Sequence, residues 1–261
     1  MFDFGGIMNT TIIIEPLTTY TQSIHNALSK LDIQAVIGRQ KAIMIKPNLV
    51  NGSPYPVTTP PKCCEAIISY IRSFSDIPIV IAEGTGDASL ETKDVFHSLG
   101  YQELSQKIGV PLIDLNHAKL TYLKDNTRKV FPEMYLPECV FEHYLISVPV
   151  LKAHSLSKLT GTLKNMMGIA PPKYYSGKYG VWKKAVFHNN MHESIIDLNQ
   201  YRTPDLSVMD AGIGLPDYHL GGSECDPPVK KILAGFDPIL LDRTAAGLLN
   251  MDWRSIKHLS G

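Results

Sequence analysis

Residues 42–84 read AIMIKPNLVNGSPYPVTTPPKCCEAIISYIRSFSDIPIVIAEG, and this stretch decides the fold. AIMI at 42–45 is an unbroken apolar run of strand length, and Lys46-Pro47-Asn48 ends it because proline has no N–H to donate. A polar, proline-rich loop from Asn51 to Pro61 follows. Residues 62–74 (KCCEAIISYIRSF) place apolar side chains at helical spacing. IPIVIAEG at 77–84 is a second apolar run, ending in a glycine turn. Strand, helix, strand in this order is a βαβ unit, and strands apolar throughout suit a parallel sheet covered on both faces.

The pattern extends outward. TTIII at 10–14 reads as a short strand, and 18–31, with Ile24, Ala27, Leu28 and Leu31 in phase, as an amphipathic helix. Helix is expected over 91–108, broken at Gly100, and strand over VPLIDL at 110–115. Short β-excursions fit 119–138, and HYLISVPVLK at 143–152 reads as one buried strand. Residues 155–187 form a long Gly/Lys/Tyr-rich insertion. A helix at 191–201, a strand at 205–210 and a final helix at 238–250 complete the reading, with Asp237 as N-cap before Pro238. The expected fold is α/β, a mostly parallel, Rossmann-like sheet flanked by helices, in one domain over 1–261, with lobes at about 1–118 and 119–261 as the variant.

Among the 261 residues, 25 Lys and Arg balance 25 Asp and Glu, which argues against nucleic-acid binding or membrane attachment through bulk positive charge. No apolar run reaches the roughly 18 residues a membrane helix needs, and MFDFGGIMNTTIIIEP lacks a signal-peptide layout. A cytoplasmic protein is expected. The four cysteines, Cys63, Cys64, Cys139 and Cys225, include no CxxC pair and no iron–sulfur run.

In open α/β sheets, function gathers beyond the carboxyl ends of the strands. The first such end supplies Lys46 and Asn48, with Asn51, Thr58 and Thr59. The second supplies Glu83 and Thr85, with Asp87 among Gly84 and Gly86, and the third Asp114, Asn116 and His117. The fourth supplies Lys152 and His154, then Lys164 and Asn165 in LTGTLKN. The last supplies Asp210, then His219 and the Gly221-Gly222 pair, which shapes a loop against a ligand. Lys46, Lys152 and Lys164 each follow or flank apolar sequence, where a lysine is costly unless paired. Convergence on a phosphate or carboxylate is one reading; ion pairs with carboxylates such as Glu83 or Asp210 are the other. His154 has the pKa range of a general acid or base, or simply donates to the same anion. His188 and His192 are spaced H-x3-H, which on a helix could grip a metal, but Glu193 follows the pair instead of lying inside it as in HExxH. PPKYYSGKYGVW at 171–182 is a candidate mobile lid, surface insertion or homo-oligomer contact.

KPN at 46–48, VPVLKAH at 148–154, LTGTLKNMMG at 159–168, Asp210 with Gly214, and FDPILLD at 236–242 together resemble domain-of-unknown-function family 362, over roughly residues 40 to 250. Longer members of that family carry a ferredoxin-like iron–sulfur domain, for which this sequence has no cysteine run. KPNLV, the 62–74 helix and IVIAEGTG are also similar to the N-terminal half of lactate-racemase-like proteins. That resemblance implies a nickel pincer nucleotide held by lysine and histidine, the chemical types of Lys152, His154 and Lys164.

Three functions fit. In the first, an enzyme binds a small anionic metabolite through Lys46, Lys152 and Lys164, with His154 moving a proton and Asp210 or Glu83 orienting it, in an isomerase or racemase reaction. Asn48, Thr85, Asn165, Gly221 and Gly222 complete that ligand site, and no metal ligand is assigned. The second is a redox protein working with an external iron–sulfur or nucleotide partner. The third is a non-catalytic ligand-binding subunit. The sequence leaves the cofactor unidentified.

Overall fold

The structure, a computed structural model, describes residues 11–177 and 182–260. Its strands are β1 (Ile13–Pro16), β2 (Ile43–Pro47), β3 (Ile79–Glu83), β4 (Leu112–Asp114), β5 (Leu120–Lys124), β6 (Glu133–Pro137), β7 (Tyr144–Val148), β8 (Val150–His154), β9 (Lys158–Thr160), β10 (Leu206–Leu215) and β11 (Lys231–Gly235). Its helices are α1 (Tyr20–Lys30), α2 (Ile33–Ile37), α3 (Pro61–Arg72), α4 (Thr92–Ser98), α5 (Tyr101–Ile108), α6 (Cys139–Glu142), α7 (Thr162–Asn165), α8 (Pro172–Tyr175), α9 (Met191–Tyr201), α10 (Pro238–Leu248) and α11 (Lys257–Ser260).

One sheet runs in the order β1-β11-β10-β7-β2-β3-β4, and β8 pairs with β10 and with β9. The pairs from β10 through β4 are parallel, as is β8 with β10, whereas β1, β11 and β9 pair antiparallel. The fold is thus a mostly parallel α/β sheet, to which residues on both sides of 118 contribute strands. β5 and β6 form a separate hairpin where the sequence suggests β-excursions.

Alternation along each strand sends side chains to two cores. Ile43, Ile45, Ile79, Ile81, Ile146 and Val208 pack under α1, α3 and their neighbours. Met44, Ala82, Leu145, Met209 and Leu233 pack against α9 and α10. Helix ends follow local chemistry: Asp237 Oδ1 accepts from Ile239 and Leu240 N–H at 3.0 and 2.9 Å and caps α10.

Two sequence expectations change. The strand expected over 143–152 is two strands, because Pro149 has no N–H and only its carbonyl joins the ladder, accepting from Asp210 N–H at 2.9 Å. The strand expected to end at residue 210 continues to Leu215 through Gly212 and Gly214, the latter with φ +87°, as β8 and β11 hold it on either side. The 155–187 insertion carries β9, α7 and α8.

The break at Pro149 positions the site. β7 lies between β2 and β10, whereas β8 pairs with β10 and β9 and not with β2. Beyond Val148 the sheet therefore parts between β2 and β8. A crevice at a switch in strand order, outside the carboxyl ends, is where ligands collect in this class of fold.

Candidate functional site

A cavity of about 270 Å³ occupies that crevice. Asn48, Leu49 and Val50 border it from the turn after β2, Glu83, Gly84 and Gly86 from the end of β3, and His154, Ser155 and Leu156 from the end of β8. Lys164, Asn165, Met167 and Gly168 come from α7 and the turn after it. Trp182, Lys184 and His188 come from the following segment, and Tyr218, His219 and Leu220 from the loop after β10.

Its floor is a closed network. Lys46 Nζ is 2.9 Å from the Glu83 carboxylate and 3.3 Å from Asn165 Oδ1. Burial pulls the Lys46 ammonium below the ordinary lysine value, and Glu83 works against that shift. Glu83 also accepts from Leu49 and Gly84 N–H at 3.2 and 2.8 Å. Asn48 Nδ2 donates to Asn165 Oδ1 at 3.2 Å, and Asn48 Oδ1 accepts from Lys152 Nζ at 2.8 Å. Lys152 donates further to Val57 O at 2.5 Å, and burial, with Lys164 second, holds it well below the lysine range. Asn165 Nδ2 binds Lys46 O and Ser147 Oγ at 3.2 and 3.0 Å. Gly168 lies so close to the Lys46–Glu83 pair that any Cβ would overlap it.

The wall differs. Among the described residues, the Lys164 side chain forms no hydrogen bond and no ion pair, and burial lowers its pKa to about 8. His154 Nδ1 accepts from Leu156 and Ser157 N–H at 3.1 and 3.2 Å, so the ring is the neutral tautomer protonated at Nε2. The His154 and His219 rings lie 4.0 Å apart at 30°. Burial, then Lys164 and the neighbouring imidazoles, pushes His154 below the usual histidine value. Burial and then Lys164 bring His219 down to about 3. His219 Nδ1 is buried with no hydrogen-bond partner among the described residues. His188 is also lowered, chiefly by burial.

Lys46, Lys152 and Lys164 occupy one neighbourhood joined through Asn48 and Asn165, but of the three only Lys164 borders the cavity. Asp210 lies on the opposite face of the sheet, buried, accepting from Tyr20 OH at 2.7 Å, Tyr55 OH at 3.2 Å and Gly212 N–H at 2.8 Å. Burial raises its pKa. Its side chain points away because it alternates with Met209 and Ala211, which face the site's side. Glu83 serves the floor, not His154. Thr85 Oγ1 donates to Val50 O at 3.0 Å and is not on the lining. Gly221, at φ +112°, and Gly222, packed on Tyr218, shape the loop that carries His219.

Sequence reasoning omitted Lys184, whose Nζ binds Asn116 Oδ1 and Ala170 O and whose pKa burial lowers to about 7. It also omitted Asp242, whose carboxylate accepts from Thr162 and Leu163 N–H at 2.6 and 3.0 Å and so anchors α7, and with it Lys164. The signal for Asp242 was FDPILLD itself; nothing local paired it with TGTLKN. His188 and His192 do not form a metal pair: His192 Nδ1 lies 2.8 Å from His258 Nδ1 instead. Glu91, Asp114 and His117 do gather their ligand atoms, with Lys183 3.3 Å from Glu91. The four thiols are free. Of the lid candidate at 171–182, residues 178–181 lie outside the described residues, whereas Trp182 borders the cavity. No described helix is long and apolar enough to cross a membrane.

A family model described as "Domain of unknown function (DUF362)" matches residues 43–247. No curated protein matches in sequence. Among solved structures, the lactate racemase apoprotein from Thermoanaerobacterium thermosaccharolyticum is similar at TM-score 0.50 and 14% identity, over 90% of this chain and 56% of that one. A protein from Thermotoga maritima gives TM-score 0.45 and 13% identity, over 90% and 59% of the two chains. The chain thus spans little more than half of each of these structures, and the likeness to the lactate racemase apoprotein, at 14% identity, is one of fold.

Proposed function

The chain belongs to the DUF362 family, and from the geometry of its cavity we propose that it binds a small anionic metabolite, a carboxylate or phosphate, and moves a proton on it as an isomerase. The observation that carries this reading is Lys164, a cavity amine with no partner among the described residues, set beside two neutral imidazoles. An unpaired amine in a low-dielectric recess is costly for the fold and favourable for an anion. An arriving carboxylate holds the amine as ammonium and raises the neighbouring imidazoles, since an opposite charge favours the protonated form. His219 Nδ1, unpartnered, is then placed to accept a proton, and His154 Nε2–H to donate one. Lactate is a small carboxylate and its racemisation an isomerisation, so the fold neighbour's name agrees with the class proposed.

A bound metal has no role in this reading. Among the described residues, His154, His188 and His219 do not bring their nitrogens into one donor set. Their surroundings are tilted rings and backbone donors, a setting that does not fit a nickel-bound nucleotide.

Thermal-shift and calorimetric titrations with lactate and inorganic phosphate at low salt test the proposal. One of these anions should raise Tm, and Lys164→Gln should weaken its binding roughly 10- to 100-fold, the scale of one charge-assisted contact. Equal affinity in the variant contradicts the proposal.

A further inference from the structure

We propose that Lys164 captures its ligand covalently, condensing with the carbonyl of a small 2-oxo acid to form an iminium. This deepens the anion reading of the same cavity and rests on it.

The contrast among the buried lysines is the first ground. Lys46 is held by Glu83 and Asn165, Lys152 by Asn48 and Val57 O, and Lys184 by Asn116 and Ala170 O. Among the described residues Lys164 has no such partner, and the one carboxylate bordering the cavity, Glu83, is already engaged by Lys46 and two backbone N–H groups. A lysine kept only for charge would be expected to hold a counter-ion; one kept for nucleophilic attack must not.

Anchorage is the second ground. The backbone before Lys164 is fixed by Asp242, which accepts from Thr162 and Leu163. The residue after it, Asn165, is tied to Lys46 O and Ser147 Oγ. The amine is therefore carried on a short helix clamped at both sides, the support a covalent step needs. With a pKa of about 8, about a tenth of the amine is free base at pH 7, against well under a thousandth for an ordinary lysine.

The step balances without an oxidant or reductant. The neutral amine adds to the carbonyl carbon and forms the C–N bond. The carbonyl oxygen leaves as water, carrying two of the three hydrogens of the starting ammonium. The iminium keeps the third hydrogen and the positive charge, so the cation facing the ligand's carboxylate survives. In an acid such as pyruvate, which has a C–H beside the carbonyl, it also draws electrons from that carbon, whose proton passes to His219 Nδ1, the buried acceptor without a partner among the described residues.

The test uses the full chain with glyoxylate and, separately, pyruvate, each with sodium cyanoborohydride, followed by peptide mapping. Calorimetry with lactate, which has no carbonyl, runs in parallel. The expected result is one reductively added acid on the peptide bearing Lys164, forming at least about tenfold faster than on any other lysine, and absent in Lys164→Arg of unchanged melting temperature. Should that variant fail to fold, competition by lactate against labelling of the wild-type chain serves instead, and protection of Lys164 alone is expected. Labelling spread evenly over exposed lysines overturns the proposal. Lactate binding without labelling at Lys164 overturns the covalent step and leaves the anion site standing. Neither binding nor labelling overturns both.

Discussion

Lys46 and Lys164 border the same neighbourhood, since Lys46 reaches Asn165, the residue after Lys164, yet they are opposite in kind. Lys46 is fully buried and fully engaged, its charge matched by Glu83 and its surroundings so tight that Gly168 tolerates no side chain. Lys164 is open to the cavity and, among the described residues, engaged with nothing. The first arrangement ties the ends of β2 and β3 to α7; the second leaves electrostatic energy unspent for a ligand. A buried lysine therefore says nothing about function until its partners are counted.

Five substitutions would break or sharpen that contrast. The largest effect is expected for Glu83→Gln, which leaves the Lys46 ammonium buried without its counter-charge. Stability should fall by about 3–5 kcal/mol, read by urea unfolding. Lys164→Met should behave oppositely, with unfolding free energy unchanged or raised, within about 1 kcal/mol, while anion binding is lost. A large destabilisation there would make Lys164 a structural residue like Lys46.

Asp242→Asn should cost about 1–2 kcal/mol, because one of the two oxygens that accept from Thr162 and Leu163 N–H becomes a donor amide group. It should also weaken anion binding by loosening α7, whereas Asp210→Asn, on the far face of the sheet, should leave affinity unchanged. Calorimetry on the two variants side by side checks the pair.

A further contrast is in pH. His154, His219 and His258 are neutral in the folded chain, the last two lowered to about 3, mainly by burial. The unfolded chain takes up their protons near 6.5 and the folded chain does not. Their contribution to stability is complete above that value and declines as pH falls from 6.5 toward 3. Denaturation at pH 7 and pH 4.5 should show the decline, and His258→Gln should make it shallower.

The sheet was legible because its signal is local. AIMI, IPIVIAEG and their intervening helix carry their own periodicity, and each apolar run became a strand at the expected place. Pro149 was visible but its consequence was not, since the departure of β8 from β2 depends on which strand β10 pairs with along its length. The lysines and His154 were legible as types at strand ends. Which of them would be consumed by Glu83, Asn48 or Val57 O was not, because those partners come from other segments. Asp210 shows the same limit from the other side: one step in strand alternation sends it to Tyr20 and Tyr55 instead of the cavity. Lys184 stayed hidden in a stretch whose composition reads as surface.

The most direct test is an NMR titration of the chain labelled with carbon-13 at the lysine ε-carbons, followed from pH 6 to pH 11 and then with lactate or glyoxylate added. The account predicts that Lys164 titrates near 8 and that its signal alone among the buried lysines shifts strongly with ligand. Shifts concentrated on Lys46 or Lys152, with Lys164 titrating like a surface lysine and untouched by ligand, would contradict it.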